Sequence, residues 1–286
     1  MLPARSGPLY PGSVEFALTE DEPTVTEDTP QTANQNQQNE QNPPLFYTAP
    51  EPLVRGGHKD LKIRPEWDFT FAAKTNTIPI TAPEFSLAAR HYPIIMLGDD
   101  LVPVIAVGLN SQKNLFVGDD GMWEPGSYIP AYARRYPFIL IGKQTDERLQ
   151  MGIDSEAKSD KENARPLFEN GEETETVKKA LTMSEQFHQA YMFTAEFAKA
   201  INEAGIVEER AIEVETQNGE KTNLGSFKAI NEEKFKDVPD ATFLDWRKKG
   251  FLHSIYFHLQ SLNNWDNLIG RGAIKSGANG QGDVSV

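Results

Sequence analysis

Short apolar runs separated by turn sequences dominate the N-terminal half of the chain. Residues 92–97 and 102–109 have the composition of strands, and the Gly-Asp-Asp sequence at 98–100 between them favours a turn. Residues 136–142 and 148–153 have the same strand character and are joined by a short polar connection. The pattern therefore predicts two β-hairpins and a strand-rich first half.

The clearest helical pattern lies between residues 173 and 204. Apolar or small residues recur there every three or four positions, which places them on one face of a helix. Gly205 suits the position just after the C-terminus of such a helix. We expect Phe187 and Tyr191 to be buried on this face. The face consists of Val177, Leu181, Ser184, Phe187, Tyr191, Thr194, Ala198 and Ile201.

One further hairpin and two further helices follow. Residues 211–216 and 221–227 flank an Asn-Gly turn, whereas residues 240–249 and 251–265 have helical patterns. Strands followed by a long helix, a hairpin and more helices are typical of an α+β domain and not of alternating βαβ units. We predict a single mixed domain with a strand-rich N-terminal half and a helical C-terminal half.

Polar segments flank the predicted domain, which spans residues 53–269. Residues 1–52 form an acidic arm, and residues 31–42 within it are mostly Gln and Asn. Such a segment has little apolar surface to offset the entropy of ordering the chain, so we predict that the arm is disordered. Residues 270–286 are predicted to form a flexible C-terminal tail.

Short apolar groups interrupt the arm at residues 9–10, 14–18 and 45–47. They have two interpretations. They are either chance apolar residues in a tail, or anchors that dock on a protein partner, on another copy of the chain or on the domain itself. The second interpretation makes the arm an element for protein partnership or self-assembly.

Charge and cysteine content narrow the functional classes. The formal net charge is −14 and the sequence pI is about 4.9. Such a surface repels phosphate backbones, so we expect no nucleic-acid partner. The chain contains no cysteine, which excludes disulfides, thiolate zinc sites and cysteine nucleophiles.

The sequence also limits the expected location. It contains no apolar run of the length that a transmembrane helix needs, and its N-terminal residues lack the apolar core of a secretory signal peptide. We expect the protein to be cytoplasmic, or to be assembled at the cell surface or in a particle by a non-classical route.

Several unusual aromatic and proline-containing strings occur in a fixed order between about residues 54 and 269. In that order they resemble the SapC family of bacterial surface-layer-associated proteins. The strings are HKDLKIRP at 58–65, DFTFAA at 68–73, NTIPI at 76–80, EF at 84–85, ARHYPI at 89–94, NLFV at 114–117, Trp123, YIPAYARRYPF at 128–138, ID at 153–154, PLF at 166–168, GSF at 225–227 in a loose form, and YFHLQSL at 256–262.

The resemblance implies a function of a particular class. Because the family is associated with surface layers and offers no established catalytic residues, it implies a non-catalytic structural or interaction protein of the bacterial surface, with no cofactor. The arm would then act as a docking element. A different class is a structural protein of a phage virion, in which a long polar arm threads between neighbouring subunits.

One cluster of aromatic and basic residues has the chemistry of a binding site. Tyr132, Arg134, Arg135 and Tyr136 combine guanidinium groups, which bind carboxylates in a forked geometry, with rings that stack. On one interpretation, this cluster binds a glycan or a carboxylate. The alternative is a buried aromatic corner whose arginines pair with acidic residues of this acid-rich chain.

His58 and Asp60 form a His-x-Asp pair that resembles part of a two-histidine, one-carboxylate iron site. His253 or His258 would be the distant second histidine, and the protein would then be a non-haem iron oxygenase-like enzyme. The later histidines lie on a predicted helix, whereas such a site needs them on neighbouring strands. The alternative is a histidine that hydrogen-bonds the backbone beside an exposed aspartate.

Calcium is a second metal for which the sequence contains candidate ligands. Carboxylates occur in pairs at Asp99-Asp100, Asp119-Asp120 and Glu172-Glu173, but without the ligand spacing of a calcium-binding loop. The favoured interpretation is turn formation, which accounts for the same residues because Asp and Gly favour turns in any case.

Overall fold

The structure, a computed structural model, describes residues 15–17, 43–142, 148–215, 221–275 and 284–285. Its strands are β1 Glu15–Ala17, β2 Pro50–Pro52, β3 Lys62–Ile63, β4 Thr77–Pro79, β5 Ile94–Leu97, β6 Val102–Ala106, β7 Phe138–Ile141, β8 Arg148–Asp154, β9 Arg165–Pro166, β10 Phe168–Glu169, β11 Glu172–Glu173, β12 Val207–Glu215, β13 Lys221–Ile230 and β14 Val284–Ser285. Its α-helices are α1 Arg55–His58, α2 Phe85–Ala88, α3 Ala131–Arg134, α4 Glu175–Glu203, α5 Glu232–Lys236, α6 Asp240–Lys249, α7 Phe251–Ser261 and α8 Asn264–Lys275.

The larger sheet is antiparallel and carries the main core. Its strand order is β14-β12-β13-β5-β6-β4, and two of the predicted hairpins, β5–β6 and β12–β13, lie side by side in it. Buried residues of these strands pack together with residues of α2, α4, α7 and α8, among them Ile105, Phe197 and Ile255. Helices and a mixed set of strands thus share one core, which confirms the predicted α+β class with its strand-rich first half and helical second half.

The smaller sheet is centred on β8. Strand β7 pairs with it as the predicted hairpin, and β2 pairs antiparallel with it along the other edge. Strand β1 also pairs with β8, in parallel, with Ala17 opposite Gln150. A separate group of buried side chains, including Phe138, Met151 and Val177, joins this sheet to the first turns of α4.

The long helix α4 confirms the predicted helix and most of its buried face. Val177, Ser184, Thr194, Ala198 and Ile201 are buried as expected, and Gly205 ends the helix with a φ of 65°. The other three residues of the predicted face are not fully buried: Leu181 and Phe187 are half-buried, and Tyr191 is exposed.

Tyr191 is the clear exception on α4. Its side chain is 44% exposed, so the prediction that it is buried is wrong. It lies beside a cavity of about 300 Å³. Phe187 is half-buried against the core, whereas Phe197, about three turns further along the helix, is fully buried.

The ends of the domain differ from the predicted boundaries. Tyr47 is buried, its hydroxyl donates to the Phe138 carbonyl at 2.5 Å, and the backbone amides of Thr48 and Ala49 each donate to Asp154 at 3.0 Å. These contacts lie within the segment predicted to be a disordered arm; residues 1–14 and 18–42 of that segment lie outside the described residues.

At the other end, the predicted single helix over residues 251–265 is two helices. Asn264 begins α8 and its side chain donates to the carbonyls of Ala89 and Tyr92, which sets the direction of the second helix. Helix α8 continues to Lys275, past the predicted start of the tail, and most of the remaining tail lies outside the described residues. Within the described part of the chain, none of the helices is both long enough and apolar enough to cross a bilayer.

Candidate anion-binding cleft

A cleft of about 550 Å³ opens between the two groups of core side chains. Its walls come from the segment after β3, the turn at Met122-Trp123, helix α3, and the first three turns of α4. Five cationic side chains line it: Arg64, Arg134, Arg135, Arg165 and Lys179. Six aromatic side chains line it as well: Trp67, Phe69, Phe71, Trp123, Tyr136 and Phe138.

Asp68 is the buried acid of the cleft and it is paired with two cations. Its carboxylate accepts a hydrogen bond from Lys161 at 2.5 Å and lies 3.7 Å from the Arg64 guanidinium. Burial alone would raise the pKa of Asp68, but hydrogen bonds from Lys161 and Thr70 outweigh it and hold the pKa below its usual range. Asp68 is therefore a charged part of the wall.

The second acid of the cleft, Glu66, is also paired. Its carboxylate accepts from Arg165 at 3.1 Å, and the same guanidinium donates through Nε to the Arg64 carbonyl. Burial lowers the pKa of Arg165, although the neighbouring Glu66 opposes that effect. Both acids in the cleft are thus neutralised by cations that the fold holds in place.

Helix α3 supplies two arginines with different environments. The Arg135 guanidinium lies over the rings of Phe187 and Tyr132, at 4.3 and 4.4 Å from their centroids. Arg134 is exposed and donates through Nε to the Ile129 carbonyl, which belongs to the segment just before the helix. Among the described residues, neither arginine has a carboxylate within ion-pairing distance.

Lys179 completes the cationic side of the cleft. It is exposed on α4, and no ion pair joins it to a described carboxylate, whereas the adjacent Lys178 pairs with Glu175 at 3.4 Å and does not line the cleft. Among the lining cations, Arg134, Arg135 and Lys179 therefore have no carboxylate partner within the described residues, and of these Arg134 and Lys179 are the exposed ones. Arg134 also contacts the hydroxyl and the ring of Tyr128.

The two tyrosines of the predicted cluster make hydrogen bonds within the fold. Tyr136 stacks on Phe71, with ring centroids 4.2 Å apart, and donates to Asp154; burial and that carboxylate raise its pKa to about 12. Tyr132 is buried, which raises its pKa, and donates to the Leu45 carbonyl. Arg134, Arg135 and Tyr136 line the cleft, whereas Tyr132 lies behind Arg135 and lines the second cavity.

Gly121 allows the Met122-Trp123 turn to pack closely against the wall segment at Phe69 and Thr70. Its φ is +79°, and an added Cβ would lie 2.6 Å from the Thr70 Cγ2 atom, so a larger residue is excluded there. The Gly121 carbonyl accepts from the Phe69 amide at 2.8 Å. This contact joins two segments of the wall that are about fifty residues apart in the sequence.

Comparison with known proteins bears on the identity of the whole domain. A family model described as SapC matches residues 53–268. The chain belongs to the SapC family. No curated protein and no solved structure matches it. The match establishes the family of the domain. The side chains of the cleft are the basis for any statement about what it binds.

Residues that sequence reasoning missed in this SapC chain include Arg64, Trp67, Asp68 and Arg165. Arg64 and Asp68 lie in strings that carry the family resemblance, where alternating charged and aromatic residues at 64–71 were the available signal. Their partners Lys161 and Arg165 are about a hundred residues away, so no local pattern in the sequence indicates these contacts.

The candidate iron ligands of the SapC chain lie in different places. His58 contacts Glu51 at 3.1 Å beside the smaller sheet, Asp60 is exposed, and His258 is fully buried under the larger sheet, where it accepts from the Ile230 amide. Burial lowers the pKa of His258 to about 3. Within the described residues, no three His, Asp or Glu side chains are grouped so as to hold a metal ion.

Three of the six carboxylates considered for calcium have other partners. Asp99 pairs with Lys228 at 2.8 Å, Glu173 pairs with Arg55 at 2.9 Å, and Asp120 accepts from the Met122 amide within its own turn. Turn formation and ion pairing account for these contacts.

Proposed function

We propose that this SapC chain is a non-catalytic interaction protein of the bacterial surface, and that its cleft binds an anionic group of its partner. The observation that carries the proposal is the gathering of five cationic side chains in one cleft of a chain whose net charge is −14. Two carboxylates, Glu66 and Asp68, also line the cleft, so its cations outnumber its acids by five to two. An excess of positive charge, against the sign of the whole protein, favours an anionic ligand.

The surroundings of these cations strengthen the attraction. Aromatic and aliphatic side chains line most of the cleft, and an electrostatic interaction beside apolar walls is stronger than one in bulk water. Arg134 and Lys179 have no described carboxylate partner, so a ligand that binds them displaces no ion pair of the described structure.

The composition of the lining favours binding over catalysis. The described residues that line the cleft include no histidine, serine or cysteine, and both acids, Glu66 and Asp68, are paired with cations. General acid–base catalysis needs a group that exchanges protons near neutral pH, and a paired carboxylate with a lowered pKa is a poor one.

The arm is the second part of the proposal, as a docking element between copies of the chain. Strand β1 pairs in parallel with the edge of β8, and the segment between Ala17 and the domain is long enough to reach a neighbouring copy. Because the chain has no cysteine, Ala17→Cys with Gln150→Cys reports the pairing directly. Disulfide-linked dimers and larger species support docking between copies, whereas exclusively intramolecular disulfides contradict it.

Association with the cell envelope tests the main proposal. The full chain, expressed in its own bacterium, is expected in the envelope fraction and is expected to be released by high salt. The double variant Arg134→Glu/Lys179→Glu should move to the soluble fraction, while Lys178→Glu, at an adjacent exposed position outside the cleft, should not. A double variant that stays with the envelope as fully as the wild type would contradict a role for the cleft.

A further inference from the structure

We infer that the anion held by the cleft is a carboxylate on an apolar body, and not a sugar acid or a free phosphate. The inference rests on the proposed function and names the chemical class of its ligand. It follows from three features of the cleft: the small number of uncharged hydrogen-bonding groups in its lining, the position of the cations without a carboxylate partner, and the exposed side chains at its rim.

The polar inventory is too small for a sugar. A sugar ring presents hydroxyl groups on all sides, and each one that loses water needs a hydrogen-bond partner. Among the uncharged lining groups, the Tyr136 hydroxyl is used on Asp154 and the Trp123 indole on the Tyr92 hydroxyl, which leaves the Thr176 hydroxyl and the Trp67 indole N–H. Two such groups are too few for the hydroxyls of a sugar ring. The remaining walls are largely rings, methionines and small aliphatic side chains.

The unpaired cations favour a small, singly charged group. Arg64 and Arg165 are held by Thr70, Glu66 and the backbone, and Arg135 is enclosed between two rings. Arg134 and Lys179 are the two exposed lining cations that have no carboxylate partner among the described residues, although Arg134 also contacts the Ile129 carbonyl and Tyr128. Two such cations suit a single carboxylate from one ligand. A phosphate carries more charge and would have no use for the apolar part of the cleft.

The rim of the cleft exposes large apolar side chains. Trp67 is 44% exposed and Met122 is 45% exposed, and both line the cleft. Covering such side chains releases water and stabilises a complex, provided that the ligand itself is apolar at that point. A volume of about 550 Å³ lies within the usual range for small-molecule sites and accommodates a fused-ring or acyl body.

Calorimetric titration of the full chain with four compounds tests the inference. The compounds are 2-naphthoate, its uncharged amide 2-naphthamide, glucuronate and inorganic phosphate. We expect 2-naphthoate to bind with a dissociation constant of about 1 mM or tighter. The amide should bind about tenfold more weakly because it lacks the charge, and glucuronate and phosphate should give no measurable binding at the same concentration.

Matched variants locate the binding. Arg134→Gln and Lys179→Gln should each weaken 2-naphthoate binding about tenfold. Lys178→Gln and Arg90→Gln, which remove exposed cations outside the cleft, should leave it unchanged. All four substitutions are at exposed positions, so the variants are expected to fold.

Several outcomes would overturn the inference. In the first, glucuronate or phosphate binds in a way that depends on Arg134, and 2-naphthoate does not bind. The inferred class of ligand is then wrong, while the proposed anion-binding function stands. Equal binding of 2-naphthoate and its amide, or equal loss in the control variants, shows hydrophobic adsorption and overturns the inference. If none of the four compounds binds, the inference fails, and the envelope experiment then decides the proposed function separately.

Discussion

Arg135 lies over the ring of Phe187, with the guanidinium carbon 4.3 Å from the ring centroid. The pair joins helix α3 to the middle of α4 at the wall between the cleft and the smaller cavity. No described carboxylate neutralises this arginine, so the rings that enclose it supply its main favourable contact. A fixed positive charge is thereby kept beside the cleft.

The first prediction concerns Phe187. Its side chain is half-buried and not fully buried, so Phe187→Ala should destabilise the protein by about 2 kcal/mol, from lost burial and the lost contact with Arg135. Full burial, as the sequence predicts, would cost about 3–5 kcal/mol. Urea denaturation provides the measurement. Tyr191→Ala on the same helix is the control and should change the free energy of unfolding by less than about 1 kcal/mol.

A second prediction concerns Asp68. Its pKa is lowered in the folded state, so its contribution to stability is present above the unfolded pKa of about 3.9 and is lost as pH falls through the folded value. Asp68→Asn should therefore cost about 1–3 kcal/mol at pH 7 and nearly as much at pH 5. Below about pH 4 the difference from the wild type should shrink.

Denaturation curves at several pH values measure this difference. Asp60→Asn removes an exposed carboxylate nearby in the sequence and should have little effect at any pH. A variant at Asp68 that is as stable as the wild type at pH 7 would show that the contacts with Lys161 and Arg64 contribute nothing.

The third prediction concerns the buried histidine. Burial lowers the pKa of His258 to about 3, below the unfolded value of about 6.5. Between these two pH values the imidazole is protonated in the unfolded state and neutral in the folded state. Stability should fall as pH drops below about 6.5, by about 3 kcal/mol between pH 7 and pH 4 from this residue alone.

Comparison with His258→Gln isolates that contribution, because glutamine offers the Ile230 amide an acceptor without titrating. The variant should lose about 3 kcal/mol less than the wild type over the same pH range. His253→Gln, an exposed position on the same helix, should behave like the wild type. Parallel pH profiles for the wild type and His258→Gln would show that the buried imidazole is protonated in the folded state.

The fourth prediction concerns the start of the domain. Removal of residues 1–42 should change the free energy of unfolding by less than about 1 kcal/mol, because the only described contact that it removes is the short β1 pairing. Removal of residues 1–52 should cost more than about 3 kcal/mol, since it deletes buried Tyr47 and leaves Asp154 without two backbone donors. Equal stability of the two truncated chains would place the boundary at residue 53.

Much of the fold could be predicted because its signals are local. The helix that ends at Gly205 and the hairpin of β5 and β6 follow from periodicity and turn residues within short windows. The exposure of Tyr191 could not be predicted, since periodicity identifies a helix face but not which part of that face the sheets cover.

The candidate site likewise contains residues that the sequence could indicate and residues that it could not. Arg134, Arg135 and Tyr136 were recognisable as a cluster because they are adjacent in the sequence. The contributions of Arg165 and Lys179 were not, because they approach Arg64 and Arg134 only through tertiary packing. The acidic partners that one interpretation assigned to the two arginines are used elsewhere: Asp68 is paired with Lys161, and buried Glu84 accepts from Tyr128 and from the Ala131 amide.

Methyl NMR of the full chain, labelled at its six methionines, tests the central claim most directly. Met122 and Met183 line the cleft, whereas Met96 is buried in the main core and Met192 is exposed elsewhere on α4. Titration with 2-naphthoate should shift the Met122 and Met183 signals, assigned by Met122→Leu and Met183→Leu, and leave those of Met96 and Met192 in place. The Arg134→Gln/Lys179→Gln variant should lose the shifts. Shifts confined to Met192, or shifts that persist unchanged in that variant, would contradict an anion-binding cleft.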